Sequence, residues 1–506
     1  MADSRKYAGE RELESYPQPR SGAPLAIAAY PNNYRIGMSN LGFHFVYSCL
    51  AGSGRFRVER RFLDDRPLSV DADAVFFTVS YEEDLLNLVR ILVSLGIEPL
   101  REKRSGGPLV IAGGPVVSSN PVPFFPLADV LAAGEGEGNL PLISEAVADE
   151  GSDRNALAAR LSGIDGVILP GFREQTRIAA PVDPDLFQSS VILTSDTVFP
   201  DMLLVEISRG CPGSCSFCMA TSVYRPFRIM PFKRFESILD SVSGPGGPAP
   251  QRAGLVSTAV AAHPRFTDMI KAISERGWSV GLSSLRAVDV DGTIAEAVGK
   301  ASIRSVSLAP ESGSEGMRLR LGKKVPDRAF FDAARLLRGA GVTRFTLYML
   351  AGLPGEDRRT FEETGKFLKG FAEAAGGARV MVNLNVLVPK PGTPLQFIAM
   401  PSPKELGTSV DSMKEACSAA GTGISVKGRR SSLNQARIAL GDEAVGRAAV
   451  RFTAGRTSWK RALRDEGVDP GFIHVERGLD EILPWEGVFI DSGRDALLRR
   501  FRASLP

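Results

Sequence analysis

The sequence contains few of the residues that cross-link a chain or bind metal ions. Its 506 residues include five cysteines and three histidines. Five cysteines in a chain of this length do not form a disulfide framework, and we expect a protein of the reducing cytoplasm. The first residues are polar and lack the apolar core of a signal peptide, so no export is predicted.

Long apolar runs and an excess of one charge are also missing. No run approaches the roughly 18 residues that span a membrane, so we expect no membrane partner. The 61 Lys and Arg residues nearly balance the 58 Asp and Glu residues, which leaves a net charge of +3. This charge gives no reason to expect nucleic acid as a partner. There is no repeat of roughly 20–50 residues, which argues against a solenoid.

The first part of the chain contains apolar runs that alternate with helical patterns. The runs lie at residues 24–30, 74–80, 109–112 and 130–133. Continuous apolar strands separated by helices predict a parallel sheet covered on both faces. Glycine-rich turns at 113–115 and 134–138 would lie at the carboxyl edge, where such sheets bind ligands. We expect a Rossmann-like domain over residues 23–150, after a flexible leader over residues 1–22.

A second series of apolar runs follows and again alternates with helical patterns. Six predicted strands lie at residues 203–208, 254–257, 279–282, 305–308, 345–349 and 380–386. Six strand–helix units are enough for a partial (β/α) barrel of TIM type. We expect this barrel over residues 199–400, after a connector over 151–198 and before a small, mainly helical region over 401–506. The predicted fold class is therefore α/β.

Three cysteines follow the first predicted barrel strand. Cys211, Cys215 and Cys218 have a Cys-x3-Cys-x2-Cys spacing. Three thiolates on one tight loop can bind three irons of a 4Fe–4S cluster and leave the fourth iron open. A zinc site is the alternative, but it usually has four ligands, and no other cysteine or histidine lies close in sequence. The position at a strand end, where barrels carry their chemistry, favours the cluster.

This motif resembles the signature of the radical S-adenosylmethionine (SAM) superfamily, in which the cysteines follow the first strand of a partial barrel. The resemblance implies an enzyme whose open iron binds the amino and carboxylate groups of SAM. One-electron transfer then breaks a C–S bond and yields a 5′-deoxyadenosyl radical. The three cysteines would be both catalytic and metal-binding, and Phe217, directly before the last of them, would contact the adenine.

The resemblance also implies SAM-binding roles for residues near the ends of later strands. The candidates are Ser257, Ser283, Arg286, Glu311, Arg318 with Arg320 as its alternative, Gly352 and Gly355. Glu311 would lie at the barrel mouth, and one of the two arginines would pair with the SAM carboxylate. The glycines belong to a Gly-Leu-Pro-Gly-Glu turn that would approach the adenine edge. Ser257 departs from the family pattern, because many members carry an acidic residue near this position for the SAM amino group.

The N-terminal domain resembles the cobalamin-binding-like domain that precedes many radical SAM barrels. Residues 30–40 and the two glycine-rich turns carry this resemblance. The Asp-x-His-x-x-Gly loop that often supplies a cobalt ligand is missing, since no histidine has an aspartate two residues before it. His44 follows the first predicted strand, near the level at which a cobalt ligand is expected. Its sequence neighbours are aromatic, so we interpret it as a helix residue packed among them. The resemblance therefore leaves cobalamin open as a further cofactor.

The predicted function is reductive cleavage of SAM followed by radical chemistry on an unknown small-molecule or macromolecular substrate. An electron donor such as flavodoxin or ferredoxin would be needed. If cobalamin binds, methyl transfer to carbon is the expected outcome. The resemblance extends over about residues 24–490 to an uncharacterised family of fused radical SAM proteins.

Two other functions fit the sequence less well. Methylthiotransferases need three more cysteines for a second cluster in the N-terminal domain, where only Cys49 is present. A non-catalytic metal-binding module for RNA or protein would need a basic face interleaved with aromatic residues. The basic run at residues 427–430 comes closest to such a face, but one short run is weak evidence and a solvated loop explains it better.

Overall fold

The computed structural model describes residues 7, 9–67, 71–104, 106–151, 153–172, 174–243, 250–455, 457–490 and 493–504. Contacts divide the chain into two compact units. The first unit comprises Met1–Asp201, Asn434–Ile473 and Asp480–Arg494, and the second comprises Met202–Leu433, His474–Leu479 and Asp495–Pro506. Within the described residues, no helix combines the length and the apolar composition that a membrane crossing requires.

Within the described residues, the first unit is built around a six-stranded sheet and also has a separate two-stranded ladder. The strands of this unit are β1 (Arg11–Glu12), β2 (Leu25–Tyr30), β3 (Arg57–Phe62), β4 (Ala74–Thr78), β5 (Leu109–Gly113), β6 (Val130–Ala132), β7 (Val167–Ile168) and β8 (Ile192–Leu193), and the ladder pairs β1 with β8. The sheet order is β3-β2-β4-β5-β6-β7, and only β7 runs antiparallel to its neighbour. Strands β2 and β4 are buried along their whole length, as in a sheet covered on both faces.

Helices cover both faces of this sheet. The helices in this part of the chain are α1 (Tyr34–Gly37), α2 (Leu41–Gly52), α3 (Asp84–Ser94), α4 (Pro115–Ser119), α5 (Gly136–Glu150) and α6 (Arg154–Leu161). One core joins α3 to sheet residues such as Val75 and Val110. The other joins α2 and α5 to Ala74 and Ile111. Successive strand residues therefore face opposite cores, which explains the continuous apolar runs.

Three stretches outside the predicted sheet strands also pair. The charged strand β3 lies at the sheet edge, where strands tolerate exposed charge. Strand β1, within the predicted leader, pairs antiparallel with β8, within the predicted connector. The Tyr34 hydroxyl also donates to Glu10 Oε1 at 2.6 Å. The domain boundaries proposed from the sequence stay predictions.

In the described part of the second unit there are seven parallel strands and one short antiparallel ladder. Its strands are β9 (Met202–Glu206), β10 (Ser208–Arg209), β11 (Arg228–Ile229), β12 (Arg252–Val256), β13 (Ser279–Leu282), β14 (Ser305–Glu311), β15 (Arg344–Ala351), β16 (Arg379–Val386) and β17 (Gly423–Val426). Strands β9, β12 and β13 form one parallel sheet, and β14 to β17 form another. An isolated parallel β-bridge between Leu285, which follows β13, and Leu308 of β14 joins these two sheets and completes the partial barrel.

The remaining helices lie between and after these strands. They are α7 (Phe232–Ser241), α8 (Phe266–Glu275), α9 (Gly292–Lys300), α10 (Glu315–Arg320), α11 (Asp327–Gly339), α12 (Arg358–Ala374), α13 (Pro403–Ala419), α14 (Arg429–Ala439), α15 (Glu443–Thr453), α16 (Trp459–Asp465) and α17 (Arg494–Arg502). Capping boxes start α12 at Asp357 and α13 at Ser402. The α/β class and the six predicted barrel strands are confirmed, whereas β17 lies in the region predicted to be mainly helical.

Burial alternates along the central barrel strands. In β15 and β16 every second residue is buried, and the residues between them are half-buried. Phe345, on the buried face, packs edge-to-face against Phe371 of α12 with ring centroids 5.5 Å apart. The half-buried face, which includes Tyr348, Asn383 and Asn385, therefore points into the barrel interior.

Candidate functional site

All three cysteines of the predicted cluster motif lie on one loop between β10 and β11. Antiparallel pairing of Ser208 with Ile229 and of Arg209 with Arg228 closes the base of this loop. The cysteines are free and half-buried. The loop, residues 210–227, follows the short strand β10, which lies just after β9 at the carboxyl end of the barrel strands. We call it the cysteine loop.

Hydrogen bonds within the cysteine loop hold its three cysteines in place. The Cys218 N–H donates to Cys215 O at 3.3 Å, and the Gly213 N–H donates to Cys211 Sγ at 3.4 Å. The Thr221 hydroxyl lies 2.7 Å from the Cys215 carbonyl oxygen and 2.9 Å from that of Cys218. The protein's own bonds therefore shape the loop around its thiols.

Burial raises the pKa of two of these thiols. It raises the pKa of Cys215 to about 11, and the positive charge of Lys323 opposes this rise. Burial also raises the pKa of Cys218, although a hydrogen bond from the Ala220 N–H lowers it. Because iron binds thiolates, loading of a metal must release the protons of the thiols.

An ion pair that the sequence did not predict stands beside the thiols. Lys323 Nζ lies 3.1 Å from Glu311 Oε1, and both side chains are largely buried, with exposed fractions of 17% and 15%. Burial lowers the pKa of Lys323. Glu311 and the thiols of Cys215 and Cys218 raise this pKa by more than burial lowers it, so the net shift is upward. The structure thus brings Glu311 to the cysteine loop and adds a cation to the site.

Glu311 reaches this position through an unusual backbone. Its φ is 64°, a left-handed conformation that is costly for a residue with a Cβ. The pairing of β14 with β15 shifts register between Leu308 and Glu311, as at a β-bulge. Bulges commonly re-aim a side chain next to an active site. Here the bulge turns the carboxylate toward Lys323.

Polar residues at two other strand ends are linked to the base of the cysteine loop. The Ser283 hydroxyl donates to Ser257 O at 2.8 Å, and the Ser257 hydroxyl is hydrogen-bonded to that of Ser208 in β10. The Thr258 hydroxyl donates to Gly210 O, directly before the first cysteine. The structure therefore brings Ser257 and Ser283 together near the base of the cysteine loop, and their roles toward SAM stay predictions.

Arg318 does not face this region. Its guanidinium is fully buried, donates to the carbonyl oxygens of Ser312 and Val325 at 2.9 Å each, and pairs with Asp327. These bonds use the side chain within the protein, so the role predicted for Arg318 at the SAM carboxylate is not available to it. Arg320 is half-buried, and within the described residues its Nε has no hydrogen-bond partner.

The other predicted SAM contacts are more dispersed. Arg286 Nε lies 3.6 Å from Asp289 Oδ2, and no hydrogen bond or ion pair joins Arg286 to the described residues of the cysteine loop. Phe217 is half-buried within that loop.

Gly352 and Gly355 form the turn expected after β15. Both adopt positive φ, at 79° and 76°, and the Gly352 N–H donates to Glu356 Oε2 at 2.8 Å. Burial raises the pKa of Glu356 to about 6, although hydrogen bonds from the backbone N–H groups of Gly352 and Leu353 lower it. A Cβ at Gly352 would lie 2.8 Å from Leu406 Cδ2. Leu406 Cδ2 is the end of a flexible side chain that can move aside, so it is the positive φ that requires a glycine at position 352.

The three-cysteine donor set fits a cluster better than a single ion. A tetrahedral zinc with Zn–S bonds of about 2.3 Å would hold thiolates about 3.8 Å apart. Within the described part of the chain, no three His, Cys, Asp or Glu side chains are grouped closely enough for one metal ion. A 4Fe–4S cluster binds each thiolate at a different iron, so three cysteines leave its fourth iron open.

His44, the candidate cobalt ligand, is a core residue of the first unit. It is 2% exposed, and burial lowers its pKa to about 4. Its Nε2 lies 3.0 Å from Met38 O, and its Nδ1 accepts from the Val191 N–H at 3.0 Å. Both ring nitrogens are used, so the histidine does not fit a cobalt ligand.

The glycine-rich turn after β6 is also occupied by the chain itself. A Cβ at Gly134 would lie 2.9 Å from Ala179 N, and Glu135 Oε2 accepts from the Val182 N–H at 3.0 Å. The turn is therefore covered, and its carboxylate opposes a phosphate. These residues do not fit the nucleotide tail of cobalamin.

Two family models match this chain. The model described as "Radical SAM proteins, N-terminal" matches residues 63–170. The model described as "Radical SAM superfamily" matches residues 205–368, which include the three cysteines.

Two relatives extend this result. An uncharacterised protein of Methanocaldococcus jannaschii is 25% identical over 443 residues, which are 86% of this chain and 93% of the relative. The cobalamin-dependent radical SAM methyltransferase TokK of Streptomyces tokunonensis is 32% identical over 130 residues, or 24% of this chain and 19% of TokK.

A solved structure shares the fold. The radical SAM methyltransferase TsrM from Kitasatospora setae, with cobalamin and a [4Fe-4S] cluster bound, matches with a TM-score of 0.55 and 13% identity. The match covers 95% of this chain and 99% of TsrM. From its family matches and its fold, the chain belongs to the radical SAM superfamily and is an enzyme that uses a 4Fe–4S cluster to cleave SAM reductively.

Proposed function

We propose that Cys211, Cys215 and Cys218 hold the 4Fe–4S cluster and that the barrel interior receives a substrate not yet identified. The observation that carries this assignment is the position of the three half-buried thiols on one loop at the carboxyl end of β9. When bound, the cluster supplies the electron that breaks a C–S bond of SAM and starts radical chemistry.

Lys323, the cation of the ion pair beside the thiols, would offset negative charge at the metal centre, whereas Glu311 opposes ionisation of the thiols. Three thiolates bring negative charge into a largely buried site, which is costly without a nearby cation. Lys323 lies close enough to favour the ionised thiols of Cys215 and Cys218. The Glu311 carboxylate, held by this lysine, would contact the ribose or amino end of SAM. Arg320 takes the carboxylate-binding role proposed for the arginine pair.

The barrel interior offers uncharged hydrogen-bonding groups to a substrate. Tyr348, Asn383 and Asn385 lie on the half-buried inner face of β15 and β16. A phenol and two amides can each donate and accept hydrogen bonds, so they suit neutral polar groups. A flavodoxin or ferredoxin remains the proposed electron donor, and the cytoplasmic location stays a prediction.

A test of the assignment compares single-cysteine variants after anaerobic reconstitution with iron and sulfide. The wild type, reduced with dithionite, should convert SAM into 5′-deoxyadenosine, measured by liquid chromatography and mass spectrometry. Cys211→Ala, Cys215→Ala and Cys218→Ala should each fall to the level of a protein-free control. Cys417→Ala, a buried cysteine on α13, is the matched control and should keep activity. A motif variant with wild-type yield would remove that cysteine from the ligand set.

A cobalamin-dependent methyltransferase is the second candidate. The 32% identity to TokK over 130 residues favours it, whereas His44 and the covered turn after β6 oppose it. Adding hydroxocobalamin during reconstitution separates the two. Retention of its visible absorbance through gel filtration supports the methyltransferase, and complete loss supports radical SAM chemistry without cobalamin.

A further inference from the structure

Helix α17 contacts the cysteine loop through Arg500 and through Ser504, which lies just past its end. Arg500 Nη2 donates to Ser214 O at 3.1 Å, and Nη1 donates to Ser222 Oγ at 3.4 Å. Ser504 Oγ lies 2.7 Å from Ser216 Oγ, and both serines are buried. The residues on either side of Cys215 are therefore both held by this part of the chain.

The opposite side of the same segment is held by other backbone groups. The Ser214 hydroxyl donates to Gly322 O at 2.8 Å, and the Ser216 N–H donates to Leu321 O at 2.8 Å. The Leu395 N–H donates to Ser216 O at 3.1 Å. Residues 214 and 216 are thus fixed from both sides, which leaves Cys215 little freedom to move.

Helix α17 is itself anchored to the barrel. Phe501 is buried and packs against the buried Phe397 with ring centroids 5.3 Å apart. Leu497, one turn earlier, is also buried. Ser504 Oγ donates to Arg500 O at 2.8 Å, which joins the two contact residues. The contacts with the cysteine loop therefore come from a packed element.

The Arg500 guanidinium also lies within electrostatic range of Cys215. Its Nη2 lies 3.1 Å from the carbonyl oxygen of Ser214, the residue directly before Cys215. The positive charge of Arg500 is therefore held next to the residue that precedes this cysteine. A positive charge near a metal centre favours the form that carries the extra electron.

We propose that Arg500 and Ser504 are positioning residues of the cluster site, which hold Ser214 and Ser216 so that Cys215 is presented to iron. Arg500 has the further role of raising the reduction potential through its charge. The proposal rests on the cluster assignment of the three cysteines. It concerns a segment more than 280 residues away in sequence, since Arg500 and Ser214 are 286 positions apart.

The test uses the full chain, reconstituted anaerobically, with variants that separate geometry from charge. Iron release to a chelator and the midpoint potential are measured for Arg500→Gln, Arg500→Lys and Ser504→Ala. Arg499→Gln is the matched control, because this exposed arginine lies next to Arg500 on the same helix. Thermal unfolding of each apoprotein checks that the variants fold.

Arg500→Gln should release iron about tenfold faster than the control, the change expected when a charged hydrogen bond is lost. It should also shift the midpoint potential downward, whereas Arg500→Lys should keep the potential and still release iron faster. Ser504→Ala should release iron faster at an unchanged potential. Equal release and equal potentials for Arg500→Gln and Arg499→Gln would overturn the proposal. Failure of the wild type to form any cluster would instead refute the cluster assignment itself.

Discussion

Replacing Lys323 by methionine removes the cation from the cluster site and leaves Glu311 without its partner. The two charges are 3.1 Å apart, and their side chains are 17% and 15% exposed. At an effective dielectric constant of about 20, two unit charges at this distance attract by about 5 kcal/mol. Desolvation of the pair offsets part of this gain. Breaking a buried pair by removing one partner typically costs about 3–5 kcal/mol, and we expect about 3 kcal/mol for this partly exposed pair.

The assay is a double-variant cycle read by thermal unfolding of the apoprotein. For a unit of this size, about 1 kcal/mol shifts the melting temperature by about 2–4 °C, so Lys323→Met should lower it by about 6–12 °C. Adding Glu311→Gln removes the uncompensated charge, and the double variant should melt no lower than Lys323→Met alone. If the two changes instead add in full, the residues are not coupled and the ion pair is refuted.

Three further predictions follow from single features. Gly322→Ala should weaken iron retention and lower the melting temperature, because Gly322 has a φ of 75° and a Cβ there would collide with Ser214 O; wild-type retention would contradict this. Burial raises the pKa of Asp84 from 3.8 to about 7, so the stability that the protonated carboxyl contributes is full below about pH 4 and is lost as the pH rises through 7. Asp84→Asn should therefore raise the melting temperature at pH 8 and lose this advantage near pH 4.5, and a difference independent of pH would argue against the burial effect. Cys49→Ala should keep the wild-type iron content per chain, since Cys49 is partly buried and packs against a core of the first unit; a loss of iron would make it a ligand.

The buried strands were predictable because their sequences are continuously apolar. The runs that predicted β2, β4, β5 and β6 are those whose residues face a core on each side of the sheet. Strand β3 carries four charged residues at the sheet edge, and β17 has four residues in a region dominated by helical patterns. Edge position and short length remove the hydrophobic signal on which such predictions depend.

The cysteine motif was predictable because its spacing is local, whereas its supports are distant in sequence. Gly322 lies 108 positions from Ser214, and Arg500 lies 286 positions from it. Nothing near either residue indicates a contact with the cysteine loop. Arg318 was assigned to the site because sequence alone does not show which arginine of a helix is buried; the structure shows its guanidinium bound to internal carbonyl groups.

The central claim is that three cysteines hold a cluster whose fourth iron is open to SAM. Electron paramagnetic resonance of the dithionite-reduced, reconstituted protein tests it most directly. The wild type should give the signal of one reduced 4Fe–4S cluster per chain, and addition of SAM should shift that signal because SAM binds the open iron. A protein that binds zinc without forming a paramagnetic cluster, or a cluster whose signal does not change with SAM, would contradict the account.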